Sequence, residues 1–111
     1  MAAKKADGET LKVICLLAAD PSSVRITQTA TYDLMARQLT KADICDEIIQ
    51  WINAGNSVKE TILHSYRGRV GETAYEIKPQ INGSLFYIKI IISDRGNDRE
   101  CLLILSAHPD H

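Results

Sequence analysis

An α+β fold is predicted: a twisted antiparallel sheet of four or five strands with about three helices packed on one face. Up to Gly55 the apolar residues recur at helical spacing, and beyond Gly55 the period drops to two. Helices first and hairpin-linked strands afterwards is the order of a domain that collects its helices on one side of an antiparallel sheet. At 111 residues, 45% hydrophobic and 24% charged, the chain suits one globular domain over residues 1–111, with residues 1–9 a mobile lead-in.

The elements follow in order. "ETLKVICLLAAD" puts Leu11, Ile14, Leu17 and Ala18 on one helical face, with Thr10 as the expected N-cap and Pro21 just past the end. "SVRIT" reads as a short strand, and "ATYDLMARQL" as a helix carried by Leu34, Met35 and Leu39. In "TKADICDEIIQWINAGN", Thr40 and Asp43 make a capping box, Ile44, Cys45, Ile48, Ile49 and Ile52 form the apolar stripe, and Gly55 supplies the stop. "SVKETILH" is strand-like, and "SYRGRVGE" is a loop. In "TAYEIKPQI", Tyr75, Ile77, Pro79 and Ile81 alternate with Glu76, Lys78 and Gln80. Pro79 cannot donate to a ladder, so an edge or a bulge is expected there. "NGS" turns the chain into the strand "LFYIKIIIS". "DRGND" is the next hairpin turn, and "ECLLILSAHP" closes the sheet.

Composition excludes several classes. No apolar run approaches the roughly 18 residues of a membrane span. "MAAKKADGET" lacks the apolar stretch of a secretion signal, so a cytoplasmic protein with no membrane partner is expected. Cys15, Cys45 and Cys101 are odd in number, lack C-x-x-C spacing and sit among aliphatics, as thiols acting as small hydrophobes do. A net charge of −1 excludes a global field for nucleic acid. A local patch survives: between His64 and Ile90, four cations (Arg67, Arg69, Lys78, Lys89) face two anions, Glu72 and Glu76.

Alternation sorts the two long strands. Phe86, Ile88, Ile90 and Ile92 should face the helices, leaving Tyr87 and Lys89 on the open face. In the last strand, Cys101, Leu103, Leu105 and Ala107 are assigned to the core, and Glu100, Leu102, Ile104, Ser106 and His108 to the open face. Open sheet faces are commonly polar for no further reason, so alternation alone does not make a site.

"TQTA", then "ICDEIIQWI" with Ala30 fifteen residues before Cys45, then "VKET" and "FYIKI", resembles the motility quorum-sensing regulator (MqsR-like) toxins from about Leu11 to His108. BrnT-like and other RelE-type toxins are similar as well. The resemblance implies a RelE-like fold and a toxin of a type II toxin–antitoxin system. Such a toxin is a metal-independent endoribonuclease (mRNA interferase) that cleaves mRNA, needs no cofactor and is silenced by a cognate antitoxin protein. Lys59 matches the family's lysine just after the central helix, and Tyr87 in "YIK" matches the tyrosine of a "YLK" strand. His108 in "SAH" stands where the family has the lysine of "SFK". The family's glutamine before its proline-bearing strand has no counterpart, since "GETAYEIKP" contains none and the next glutamine after it is Gln80. A catalytically silent RelE-fold module that binds protein or RNA is the alternative.

Metal-free RNA cleavage needs a base for the ribose 2′-OH, an acid for the departing 5′-oxygen, and cations for the phosphate charge. His108 can be base or acid, and Tyr87 can orient the phosphate or donate a proton. Lys59, Arg67 and Arg69 can carry the charge, with His64, Tyr66, Lys78 and Lys89 as further RNA contacts. His108 is expected beside Tyr87 and near Lys59, Arg67 or Arg69. The tail residues His108, Asp110 and His111 offer too few ligands for a metal, with only the isolated His64 to add.

Overall fold

Each helix begins where a side chain satisfies its first free amides. The computed structural model describes residues 4–64, 66, 68–93 and 100–110. Helix α1 (Gly8–Ala18) is capped by Asp7, whose carboxylate accepts from the Thr10 amide at 2.8 Å. The cap is therefore Asp7 and not Thr10. Helix α2 (Gln28–Met35) starts from Thr27. Helix α3 (Lys41–Asn53) opens on the expected capping box of Thr40 and Asp43 and ends at Gly55, which adopts φ 84°.

The strands are β1 (Lys4–Lys5), β2 (Val24–Ile26), β3 (Lys59–Ile62), β4 (Thr73–Ile77), β5 (Gln80–Ile81), β6 (Ser84–Ser93) and β7 (Cys101–Pro109). Their order is β1-β3-β4-β6-β7-β2, with β5 beside the start of β6. Two expectations are corrected here. Among the described residues the sheet has seven strands rather than four or five. Lys4–Lys5, assigned to a mobile lead-in, instead pair with β3, and "TAYEIKPQI" divides at Lys78–Pro79 into β4 and β5. The sheet is also mixed. β2 runs parallel to β7, Val24 opposite Leu102, while every other pairing is antiparallel. Between β5 and β6, Asn82 and Gly83 take φ 52° and 81°, the left-handed pair of a two-residue hairpin turn. The "DRGND" turn lies outside the described residues.

All three helices pack on one face. Ile14 and Ala18 of α1, Ala30 and Leu34 of α2, and Ile44 and Ile48 of α3 share one buried cluster with Ile77, Ile88, Ile90, Leu102 and Ile104 of the sheet. The radius of gyration is 13.2 Å, that of a compact globule of about 100 residues. Cys45 and Cys101 are buried and Cys15 half-buried. Among the described residues no helix is long and apolar enough to cross a membrane.

A second, smaller cluster of Leu63, Ala74, Ile91 and Leu105, with Leu103 against it, occupies part of the opposite face. It exists because β7 is bulged. Its register with β6 steps from Lys89 opposite Ser106 to Ile90 opposite Ile104, leaving Leu105 as the extra residue. Period-two alternation therefore fails across Leu105. Leu102 and Ile104 join the helix-side cluster, and Leu103 and Leu105 the other, the reverse of their expected assignment. Beyond the bulge the expected sense resumes, with Ala107 toward the helices. Thr27, between β2 and α2, secures the bulge: its amide donates to Ile104 O and its hydroxyl to Leu105 O, each at 3.1 Å.

Candidate functional site

Register aligns Lys5, Lys59, Glu76, Lys89 and Ser106 in one row across β1, β3, β4, β6 and β7. Directly opposed residues share a face, and this row lies on the face away from the helices. Two residues along β6, Tyr87 is paired with His108 on that same face. Strands of this length hold such side chains on fixed backbone, with no loop involved.

Glu76 is the centre of the group. Its side chain is only 12% exposed, with Lys59 Nζ at 3.8 Å from one carboxylate oxygen and Lys89 Nζ at 3.7 Å from the other. The Tyr87 phenol stands near enough to the same carboxylate to feel its charge. Burial first, then Glu76 beside it, then the charge of Asp110 push the Tyr87 phenol well above its ordinary range. Tyr87 is therefore a neutral hydroxyl donor under all ordinary conditions. The His108 ring stacks on Tyr87 with centroids 5.6 Å apart and planes at 30°. Lys89 Nζ lies 5.7 Å from the Tyr87 ring centroid, within cation–π range. His108 Nδ1 is 2.9 Å from Pro109 O. A carbonyl only accepts, so this contact assigns the proton of the neutral ring to Nδ1 and leaves the lone pair on Nε2.

The other expected residues divide into three groups. His64 and Tyr66 line a cavity of about 520 Å³ on the same face, together with Thr61, Glu76, Lys89 and Ser106. Lys78, at the end of the same face, pairs with Asp110 at 3.2 Å. Arg69 is held elsewhere: its guanidinium contacts Glu72 at 3.2 Å and Ser93 Oγ at 3.3 Å. Ser93 is six residues from Tyr87 along β6, roughly 20 Å of extended strand, so Arg69 is not brought to the Tyr87–His108 pair. Arg67 and His111 lie outside the described residues. Lys59 belongs to a strand roughly 14 Å across the sheet from β7 and closes on Glu76 from the far side. The ammonium beside the stacked pair is that of Lys89.

Glu76 itself was passed over in the sequence, where it is one polar residue among several on an alternating strand. Register made it central, and register between distant strands has no local sequence signal. Among the described residues no group of three or more His, Cys, Asp or Glu side chains could hold a metal ion. Comparison with protein-family models, with curated proteins and with solved structures finds no match to the chain.

The constellation combines an imidazole, a fixed phenol, a shielded carboxylate and two ammonium groups on one rigid surface. That set can take a proton from a hydroxyl, neutralise an anion and hold it in place.

Proposed function

We propose that the chain is a metal-independent endoribonuclease that cleaves mRNA as the toxin of a toxin–antitoxin pair, with a RelE-like fold. The observation that carries the reading is the stacked Tyr87–His108 pair with the Lys89 ammonium beside it on the face free of helices. In this reading His108 Nε2 takes the proton of a ribose 2′-OH, and the 2′-oxygen bonds to the adjacent phosphorus. The bond from phosphorus to the 5′-oxygen breaks, and that oxygen takes a proton from Lys89. Lys89 offsets the charge growing on the phosphate until it gives up that proton. Tyr87 and Glu76 hold the imidazole and the ammonium groups in register, as positioning residues. The products are a 2′,3′-cyclic phosphate and a free 5′-hydroxyl, and the step needs no metal.

One observation favours the silent binding module instead. Glu76 and Asp110 already pair with Lys59, Lys89 and Lys78, so a phosphate must compete with two carboxylates for its cations. Incubating purified protein with single-stranded RNA in EDTA separates the readings. Cleavage with cyclic phosphate ends, reduced about 10²–10⁴-fold by His108→Ala, is the expected result. An intact chain that binds RNA without cutting it establishes the silent module. In bacteria the enzyme should arrest growth on induction, and expression of the neighbouring small protein should relieve that arrest.

A further inference from the structure

A second cavity, of about 410 Å³, opens where β1, β3 and the end of β4 meet the C-terminal turn of α3. Lys4, Lys5, Lys59 and Lys78 line it, with Trp51 and Ile77 supplying apolar surface. Its volume falls in the usual range of small-molecule sites, roughly 300–1,000 Å³. Four lysines gather here in a chain whose net charge is −1. Glu76 is the one carboxylate in its lining, and Glu76 also lines the cavity on the other side of the row. The two cavities thus flank the central carboxylate.

Trp51 is pinned rather than loose. Its Nε1–H donates to Ser57 O at 2.9 Å, which fixes the indole in the wall of the cavity. Lys5 extends the cationic row beyond Lys59 on the neighbouring strand, and among the described residues no carboxylate pairs with it. An apolar pocket with a fixed indole and a rim of ammonium groups matches a planar aromatic ring carried on a phosphate. A bare anion would have no use for the indole, and an aliphatic ligand none for the lysines.

We propose that this cavity is a nucleotide subsite. It takes the base next to the reacting phosphate of a single-stranded RNA against Trp51, and the adjoining phosphate on Lys5 and Lys59. The inference rests on the RNA-cleaving reading, whose substrate it specifies, yet it can stand or fall by binding alone.

Trp51 is the only tryptophan in the chain, so its fluorescence reports on this cavity directly. The probe is a 2′-O-methyl oligoadenylate hexamer, which has no 2′-OH to be cut. Quenching of Trp51 emission is expected, with an affinity about tenfold weaker in Lys5→Glu and restored in Lys5→Arg. Inorganic polyphosphate of equal length should leave the emission unchanged. Binding of a labelled hexamer without change at Trp51, equal quenching by polyphosphate, or indifference to Lys5→Glu would each overturn the proposal. Cleavage of ordinary RNA, measured alongside, keeps the two readings apart. Cutting with a silent Trp51 removes the subsite and leaves the enzyme. Quenching without cutting keeps the subsite and removes the enzyme.

Discussion

Glu76 touches three groups that the proposed chemistry uses differently, and its removal should separate them. In Glu76→Gln the side chain keeps its shape, but the charge that restrains Lys59 and Lys89 is gone. RNA should then bind more tightly, while the ammonium groups lose their fixed positions. The expected outcome in steady-state cleavage is a lower KM together with kcat reduced about tenfold. A higher KM would place Glu76 in direct contact with substrate. Tyr87 makes a pH prediction at the same scale. Folding raises its phenol above the ordinary value of 10.0, so the folded chain keeps a proton that the unfolded chain releases near that pH. Stability from this source is complete below about pH 10 and declines as pH rises through the alkaline range. Ultraviolet titration of the intact chain should show phenols ionising later than the exposed tyrosines, and Tyr87→Phe should weaken that component. The late component should diminish rather than vanish from the spectrum, because burial raises Tyr75 as well. Of these residues, Tyr87 and His108 were legible as candidates because each interrupts or ends an apolar strand, and Lys59 only through the resemblance to a known family. Glu76 was not, because nothing local distinguishes it from Lys78 or Gln80.

Among the elements, α3 and β6 were the most legible. A capping box brackets one, and a long unbroken apolar alternation defines the other. Asp7 could have been read as the cap of α1, since it stands three residues before the Thr10 amide it receives. The face of β7 could not have been read correctly, because a bulge leaves no mark in an aliphatic run such as "CLLIL". Its cause lies in another element. Thr27 caps α2, accepting from the Ala30 amide at 3.2 Å, while its hydroxyl proton goes to the Leu105 carbonyl. Thr27→Val preserves shape and deletes both bonds, so a loss of about 1–2 kcal/mol is expected in urea unfolding. The same variant should weaken RNA cleavage, because loosening the bulge loosens the strand that carries His108. Unchanged stability would mean that the bulge is held by packing alone.

For the molecule as a whole, the parallel pairing of β2 with β7 joins residues 24–26 to residues 102–104, so the sheet is complete only when both ends of the chain are in place. Helix-then-strand order predicts the layers but not this closure, since pairings so distant are chosen by what edge remains uncovered. The charge distribution is also a whole-molecule property: Lys5 of β1, Lys59 of β3, Lys78 just past β4 and Lys89 of β6 converge on one side of the sheet. If three or four of them neutralise phosphates, log affinity for single-stranded RNA should fall against log salt with a slope of about −2 to −3. Fluorescence titration at several sodium chloride concentrations measures it, and a slope near zero would remove the electrostatic basis of the binding. The extra residue in β7 has an effect on the tolerance of the chain to changes in its length. Deleting Leu105 would make the strand regular and leave both of its halves on their present sides, because Ser106 opposite Lys89 would then follow directly on Ile104 opposite Ile90. Straightening the strand with Leu105 still in it would not: either His108 would turn inward among the helices, or Leu102 and Ile104 would turn out to water. At this position the chain can therefore lose a residue, and not merely exchange one, with the imidazole still outside.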